Sequence, residues 1–216
     1  MIILQRKYTT KMNPSQRSSD IIWLEATEST NRAVRDAIPR LDNLSVIAAV
    51  AQTAGRGQGT HTWHSTPGMN LTFSMLYRPA DLPAKDMIVI TCATTLGIRD
   101  YLLTHGIESR IKWPNDIWVD SRKISGILIE NILDGARIDA SIIGIGLNLN
   151  EKEWPAELPN PVSLSNLTGK EYDCRAELDA LAQKIRRRFF LAESDGGRKE
   201  LQEEFGKYVF RLPEGR

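Results

Sequence analysis

The sequence predicts an α+β fold: a mixed, mainly antiparallel sheet with helices packed against it. Three observations lead to the α+β class. Strand-like apolar runs come in groups, and helical stretches fall between the groups rather than after every strand. Two long runs flank Asp134-Gly135, a dipeptide that turns a chain back on itself. The 216 residues, 41% of them hydrophobic, suffice for one well-buried core.

Taken in order, residues 1–19 form a polar, loose N-terminal tail. Order begins at Ile21-Ile22-Trp23-Leu24, a short strand. A helix follows, with Ser29 or Thr30 as N-cap, Ala33, Val34, Ala37 and Ile38 on its apolar side and Pro39 at its end. Residues 45–52 (SVIAAVAQ) are a continuous apolar run of strand length, hence a buried strand. Residues 53–68 are rich in Gly, Thr, Ser and His and lack an apolar period. They read as a long loop of the kind that carries function in compact domains. Residues 70–77 alternate Leu71, Phe73, Met75 and Tyr77 with smaller or polar residues, a strand pattern.

Met87, Ile90, Ile98, Tyr101 and Leu102 space a core helix over 84–105, stopped by Gly106, with Met87 read as core. Short strands at 110–112 and 116–119 precede the longer strands 123–132 and 137–147. Pro155, Pro159 and Pro161 mark 151–166 as a surface connection. Leu178, Leu181, Ile185 and Phe189 define a helix over 176–190, with Arg186-Arg187-Arg188 on its solvated face. A last helix covers 198–208.

Charge narrows the function. Lys+Arg (28) and Asp+Glu (27) nearly cancel, which disfavours a general nucleic-acid or membrane-surface binder. Two cysteines make no disulfide framework and fit a cytoplasmic protein. The apolar stretch 87–98, broken by Thr91, Thr94 and Thr95, is short of the ~20 residues of a membrane span.

Two segments carry chemistry. Gly55-Arg56-Gly57-Gln58-Gly59 can turn backbone N–H groups toward an anion, and Arg56 adds a forked cation. It is neither a P-loop nor a dinucleotide fingerprint. Lys112-Trp113-Pro114-Asn115-Asp116 and Lys123-Ile124-Ser125-Gly126 place two lysines near one hairpin, the second opening a strand too apolar to face water. Gly126 lets a ligand lie against that strand. Asn115 and Asp116 suit either a turn or a ligand or metal contact. Trp63 suits either an anchor for the loop or a platform for a planar base. Gly144 and Gly146 permit close approach beside Asn148 and Asn150. Together these features suggest a site for a phosphorylated or carboxylated small molecule.

The ordered set Ser29-Thr30-Asn31, Gln52-Thr53-Ala54-Gly55-Arg56-Gly57, Trp63, Asn70-Leu71, Lys112–Asp116, Lys123–Glu130 and Gly144–Asn148 resembles the biotin protein ligases, over about residues 21–150. The resemblance implies the fold shared by class II aminoacyl-tRNA synthetases and biotin synthetases, and a catalytic domain over 20–208, with 209–216 the start of a C-terminal small domain and no room for an N-terminal winged helix. It implies that biotin's carboxylate attacks the α-phosphorus of ATP, giving biotinyl-5′-AMP, and that a lysine of a biotin carboxyl carrier protein, such as that of acetyl-CoA carboxylase, then takes the biotinyl group.

By the same resemblance, Lys123, Arg56 and Lys112 are catalytic. Biotin contacts fall to Ser29, Thr30, Asn31, Gln52, Gly55, Arg56, Gly57, Gln58, Lys123 and Gly126. ATP contacts fall to Arg56, Trp63, Lys112, Asn115 and Asn148. Mg²⁺ is expected with ATP, with Asp116 as the candidate protein ligand. The loop departs from the family's G-R-G-R pattern at Gln58, Thr60 and His61. The implied partner is the carrier domain, with no nucleic acid and no membrane, and a homodimer stays open. Two alternatives also stay open: a lipoate or octanoate ligase or transferase of the same superfamily, and a non-catalytic biotin-binding protein.

Overall fold

The structure, a computed structural model, describes residues 21–212 apart from Thr60 and Pro159. The tail expected at 1–19 lies outside the described residues. The apolar runs are strands: β1 (Ile21–Thr27), β2 (Val46–Gln52), β3 (Leu71–Tyr77), β4 (Arg110–Lys112), β5 (Asp116–Val119), β6 (Arg122–Asp134), β7 (Arg137–Leu147) and β8 (Val209–Phe210). They form one sheet in the order β1-β2-β3-β7-β6-β5-β4-β8. Only β1–β2 and β4–β8 pair in parallel. The other neighbours are antiparallel, so the expected mixed, mainly antiparallel sheet is found. The β6–β7 turn falls at Gly135, whose φ of +56° favours glycine.

The two faces of the sheet differ, and that difference places the site. Leu71, Phe73, Met75 and Tyr77 of β3, with Ile143, Ile145 and Leu147 of β7, face one large core. Helices α2 (Ile88–Thr104), α4 (Cys174–Ala192) and α5 (Asp195–Tyr208) close that core. On the opposite face, Ile47, Leu76, Ala140 and Ile142 pack under α1 (Thr30–Ala37) through Val34. Along β3 and β7, period-2 alternation continues this second face as Thr72, Ser74, Gly144 and Gly146. The apolar cover ends there, and a depression lined by small and polar residues takes its place.

Several expectations are corrected. Met87 is 52% exposed, because the core helix begins at Ile88 after a short 3-10 turn over Ala84–Asp86. Arg188 is not on a solvated face: its guanidinium bridges Asp100 of α2 (2.6 Å) and Glu204 of α5 (2.5 Å), tying three helices together. Segment 151–166 is not a plain surface connection. Glu151, Val162, Ser163 and Leu164 are buried, and α3 (Leu164–Thr168) starts there with a Ser163/Asn166 capping box. Ser29 holds the N-cap position of α1 but its side chain makes no capping bond.

The stretch Ala84–Thr104, the 3-10 turn together with α2, is long and apolar enough to cross a membrane by composition, yet most of it is buried against the rest of the protein. At Gly97 α2 packs tightly on α4, where a Cβ would come 2.6 Å from the Ile185 Cα. Val209–Phe210 adds β8 to the edge of the same sheet, beside β4.

Candidate active site

The glycine-rich segment is more regular than its composition suggests. Gly57 N–H donates to the His61 carbonyl (2.8 Å) and Trp63 N–H to the Gly55 carbonyl (3.1 Å), with a bridge between Arg56 and Thr62. These bonds make a small hairpin with Gly59 (φ +64°) near its tip. One stem is held by Thr53 and Ala54, whose N–H groups donate to the Thr27 and Glu28 carbonyls (3.0 Å each). The other is held by Glu151, a buried carboxylate that accepts from the Thr66 N–H and hydroxyl (3.1 Å each) and from the Asn70 amide (3.0 Å).

The hairpin carries the Trp63 ring onto the sheet. Gly126 of β6 and Gly146 of β7 are register partners. A Cβ on Gly146 would overlap the indole, and one on Gly126 would touch it at 3.2 Å. The indole Nε1 is buried, with no hydrogen-bond partner among the described residues. The two glycines therefore make room for a tryptophan as well as for a ligand.

At one end of the cleft the start of α1 supplies polar groups. The Thr30 N–H, which no helical carbonyl reaches, donates to the Gln52 side-chain oxygen (2.7 Å). That bond turns the Gln52 NH₂ outward as a donor. The Asn31 NH₂ donates to Glu130 (2.8 Å), and the Ser74 hydroxyl donates to the Asn31 oxygen (2.6 Å). A Cβ on Gly144 would overlap that Asn31 amide.

At the other end are cations. Lys123 Nζ lies 2.8 Å from Asp116, its side chain one-third exposed. Lys112 Nζ lies 4.9 Å from the Trp118 ring centroid. Arg56, on the hairpin, reaches back toward the Asn31 end, 3.7 Å from Glu130. The space between is a cleft of about 360 Å³. Among the described residues, no group of three or more His, Cys, Asp or Glu side chains could hold a metal ion.

Of the residues singled out in the sequence, Ser29, Thr30, Asn31, Gln52, Arg56, Gly57, Gln58, Trp63, Lys112, Asn115, Asp116, Lys123 and Gly126 line this one cleft. Two do not. Gly55 sits in the neck of the hairpin, where a Cβ would come 2.5 Å from the Trp63 carbonyl oxygen. Asn148 is buried behind the cleft, its amide donating to the carbonyls of Val162 (3.0 Å) and Lys123 (3.3 Å). It braces the start of β6 through its amide nitrogen. Asn115 donates to the Ile127 carbonyl and Asp116 is engaged with Lys123, so both are tied into the wall they line. His61, Thr62 and Thr72 line the cleft without having been singled out. For Thr72 the signal was available, as a polar position in the alternation of β3.

A family model described as "Biotin/lipoate A/B protein ligase family" matches residues 23–148. The Bacillus subtilis bifunctional ligase/repressor BirA is 37% identical over 161 residues, 71% of this chain and 48% of that protein. The biotin–[acetyl-CoA-carboxylase] ligase of Paracoccus denitrificans is 33% identical over 167 residues, 74% of this chain and 68% of that protein. Among solved structures, the Aquifex aeolicus biotin protein ligase in complex with biotin and ATP superposes with a TM-score of 0.74 at 26% identity, covering 88% of this chain and 78% of that one. The chain thus spans about half the length of the Bacillus relative.

Proposed function

The chain belongs to the biotin/lipoate A/B protein ligase family, and from that premise we propose that it activates biotin with ATP as biotinyl-5′-AMP and transfers it to a lysine of a biotin carboxyl carrier protein. One observation carries this reading: residues from six separate stretches meet around one cleft, whose lining combines the neutral donors and acceptors of Thr30, Asn31 and Gln52 with the cations of Arg56, Lys112 and Lys123.

The neutral end suits a cyclic urea. Its N–H groups need acceptors and its carbonyl needs a donor, and Thr30 and Gln52 offer one of each. The cationic end suits the reaction. A carboxylate and an α-phosphate repel each other, and charge builds further as the new anhydride bond forms. Lys123, Arg56 and Lys112 supply fixed positive charge there, where exclusion of water makes it count most. Asp116 holds Lys123 in place until the substrate's own anions compete for it. Trp63 offers a flat apolar surface to the nucleotide base. The Arg56–Thr62 hairpin covers the labile adenylate until the acceptor lysine arrives.

Mg²⁺ enters as part of the nucleotide substrate. Magnesium keeps most of its shell as water and phosphate oxygen, and the one carboxylate expected as its ligand, Asp116, is engaged with Lys123. No step is therefore assigned to a protein-held metal. The two unpaired cysteines suit a reducing cytoplasm.

Exchange of labelled pyrophosphate into ATP tests the reading. Biotin-dependent exchange is expected. Dependence on lipoate instead would favour the sister ligases, and no exchange with either would leave a binding protein. Lys123→Ala is expected to lower biotin-dependent exchange by about 100-fold or more with the melting temperature little changed. Near-normal exchange in that variant would remove Lys123 from the reaction.

A further inference from the structure

We propose that Ser74 and Glu130, neither of which lines the cleft, are positioning residues that fix the Thr30 hydroxyl as a hydrogen-bond acceptor and so select a ring N–H in the ligand. The proposal rests on the biotin reading above and extends it to two side chains behind the wall.

The argument is a count of protons. The Asn31 Nδ2 faces two acceptors, the Glu130 carboxylate at 2.8 Å and the Leu128 carbonyl at 3.4 Å. An amide turned the other way would aim its oxygen at both, so its orientation is set. Its Oδ1 therefore faces Ser74, whose Oγ lies 2.6 Å away. Ser74 is fully buried and has a single hydroxyl hydrogen. That hydrogen is claimed by the Asn31 oxygen, since nothing else on that side donates to it. Thr30 Oγ1 lies 2.7 Å from the same Ser74 oxygen. Two hydroxyls so close share one hydrogen between them. Ser74 has already given its own, so Thr30 donates to Ser74. What Thr30 turns to the cleft is then lone pairs only. The order of donation runs from Thr30 through Ser74 and Asn31, and ends on the negative charge of Glu130.

The surroundings keep this order from relaxing. Thr30 and Asn31 are 3% and 5% exposed, so water does not supply a substitute hydrogen. The Asn31 amide lies directly over Gly144, in the place a Cβ would take. Glu130 is also approached by Arg35 (3.5 Å) and Arg56 (3.7 Å), so its carboxylate sits between the Asn31 amide and two cations.

The test compares the binding of biotin with that of its cyclic carbamates, in which one or the other ring N–H is replaced by oxygen, by calorimetry without ATP. Wild type is expected to prefer biotin over at least one carbamate by about 10- to 100-fold, because that carbamate sets oxygen against an oxygen that has no hydrogen to give. In Ser74→Ala the Thr30 hydrogen is free to turn to the ligand, and the preference is expected to fall to about threefold or less. Glu130→Ala releases the Asn31 amide and should lower the preference likewise. Glu130→Gln keeps an acceptor oxygen for Asn31 and should retain it. If Ser74→Ala fails to fold, the Glu130 pair decides alone. Variants that bind every ligand more weakly by one common factor, with the wild-type preference intact, would reduce both residues to packing and overturn the proposal. Wild type that binds no biotin at all would instead overturn the functional reading, and this inference with it.

Discussion

Gly144 shows how little space separates a working pocket from a blocked one. Its hydrogen faces the Asn31 amide, and any Cβ there would overlap that side chain. Gly144→Ala is expected to weaken biotin binding about tenfold or more, since the displaced amide must give up its bond to Ser74 or Glu130. Calorimetric titration of the variant checks this, and unchanged affinity would mean that the amide plays no part in binding. Residues such as Lys123 and Arg56 could be picked from the sequence because a charge beside an apolar strand or within a glycine run is conspicuous. Ser74 could not, and Glu130 entered only as the last residue of the Lys123–Glu130 stretch, with no role. A serine and a glutamate within strands look like ordinary positions until the partner strands and α1 are in place. Asn148 shows the converse. A strand-end asparagine beside glycines looks wholly unengaged, and only the fold reveals that its amide nitrogen already donates to the Val162 and Lys123 carbonyls.

Elements with a strong period were legible, and those without one were not. β3 and β7 follow from alternation, and α4 from its 3.6-residue spacing, although it runs further than expected, over Cys174–Ala192. The Arg56–Thr62 hairpin carries no apolar alternation, so only its backbone bonds reveal it. Hydrogen exchange should be fast at Gly57 and Trp63 in the free protein and slow on adding biotin and ATP, as the hairpin settles on the ligand. Protection unchanged by both ligands would count against its role as a cover.

Helix packing gives a second expectation at this scale. At Gly97 the backbones of α2 and α4 touch, so Gly97→Val should destabilise the protein by about 1–3 kcal/mol in chemical denaturation. Gly206, in α5 with nothing within 4 Å of its missing Cβ, is the control. Gly206→Ala should stabilise by roughly 0.5–1 kcal/mol, the helix-propensity difference alone.

Across the whole molecule, sheet and helices are joined by buried phenols. The Tyr77 hydroxyl in β3 donates to Glu193 beyond α4 (2.8 Å), and the Tyr101 hydroxyl in α2 donates to Glu177 in α4 (2.6 Å). Burial first, then the neighbouring carboxylates, raise both phenols well above their ordinary value of 10.0. Burial alone pushes the Cys92 thiol up to about 12 from 9.0. All three hold their protons more tightly folded than unfolded. Their contribution to stability is therefore complete below about pH 9 and is lost progressively as the pH rises past 9 and then 10. The melting temperature should fall over that alkaline range, and less steeply in Tyr77→Phe or Tyr101→Phe. A slope unaltered by both substitutions would remove the phenols as its cause. The antiparallel class of the sheet was readable from the grouping of strands. Its order was not, because pairing β8 with β4 and β1 with β2 joins segments with no local signal for each other.

Trp63 has one further consequence. Its indole rests on a glycine pair with its nitrogen buried and, among the described residues, unpartnered, so the ring's surroundings change when the cleft fills and an acceptor comes near. Tryptophan emission is sensitive to such changes. The protein thus carries an intrinsic optical gauge of the cleft's occupancy, readable without labels once the other indoles are replaced.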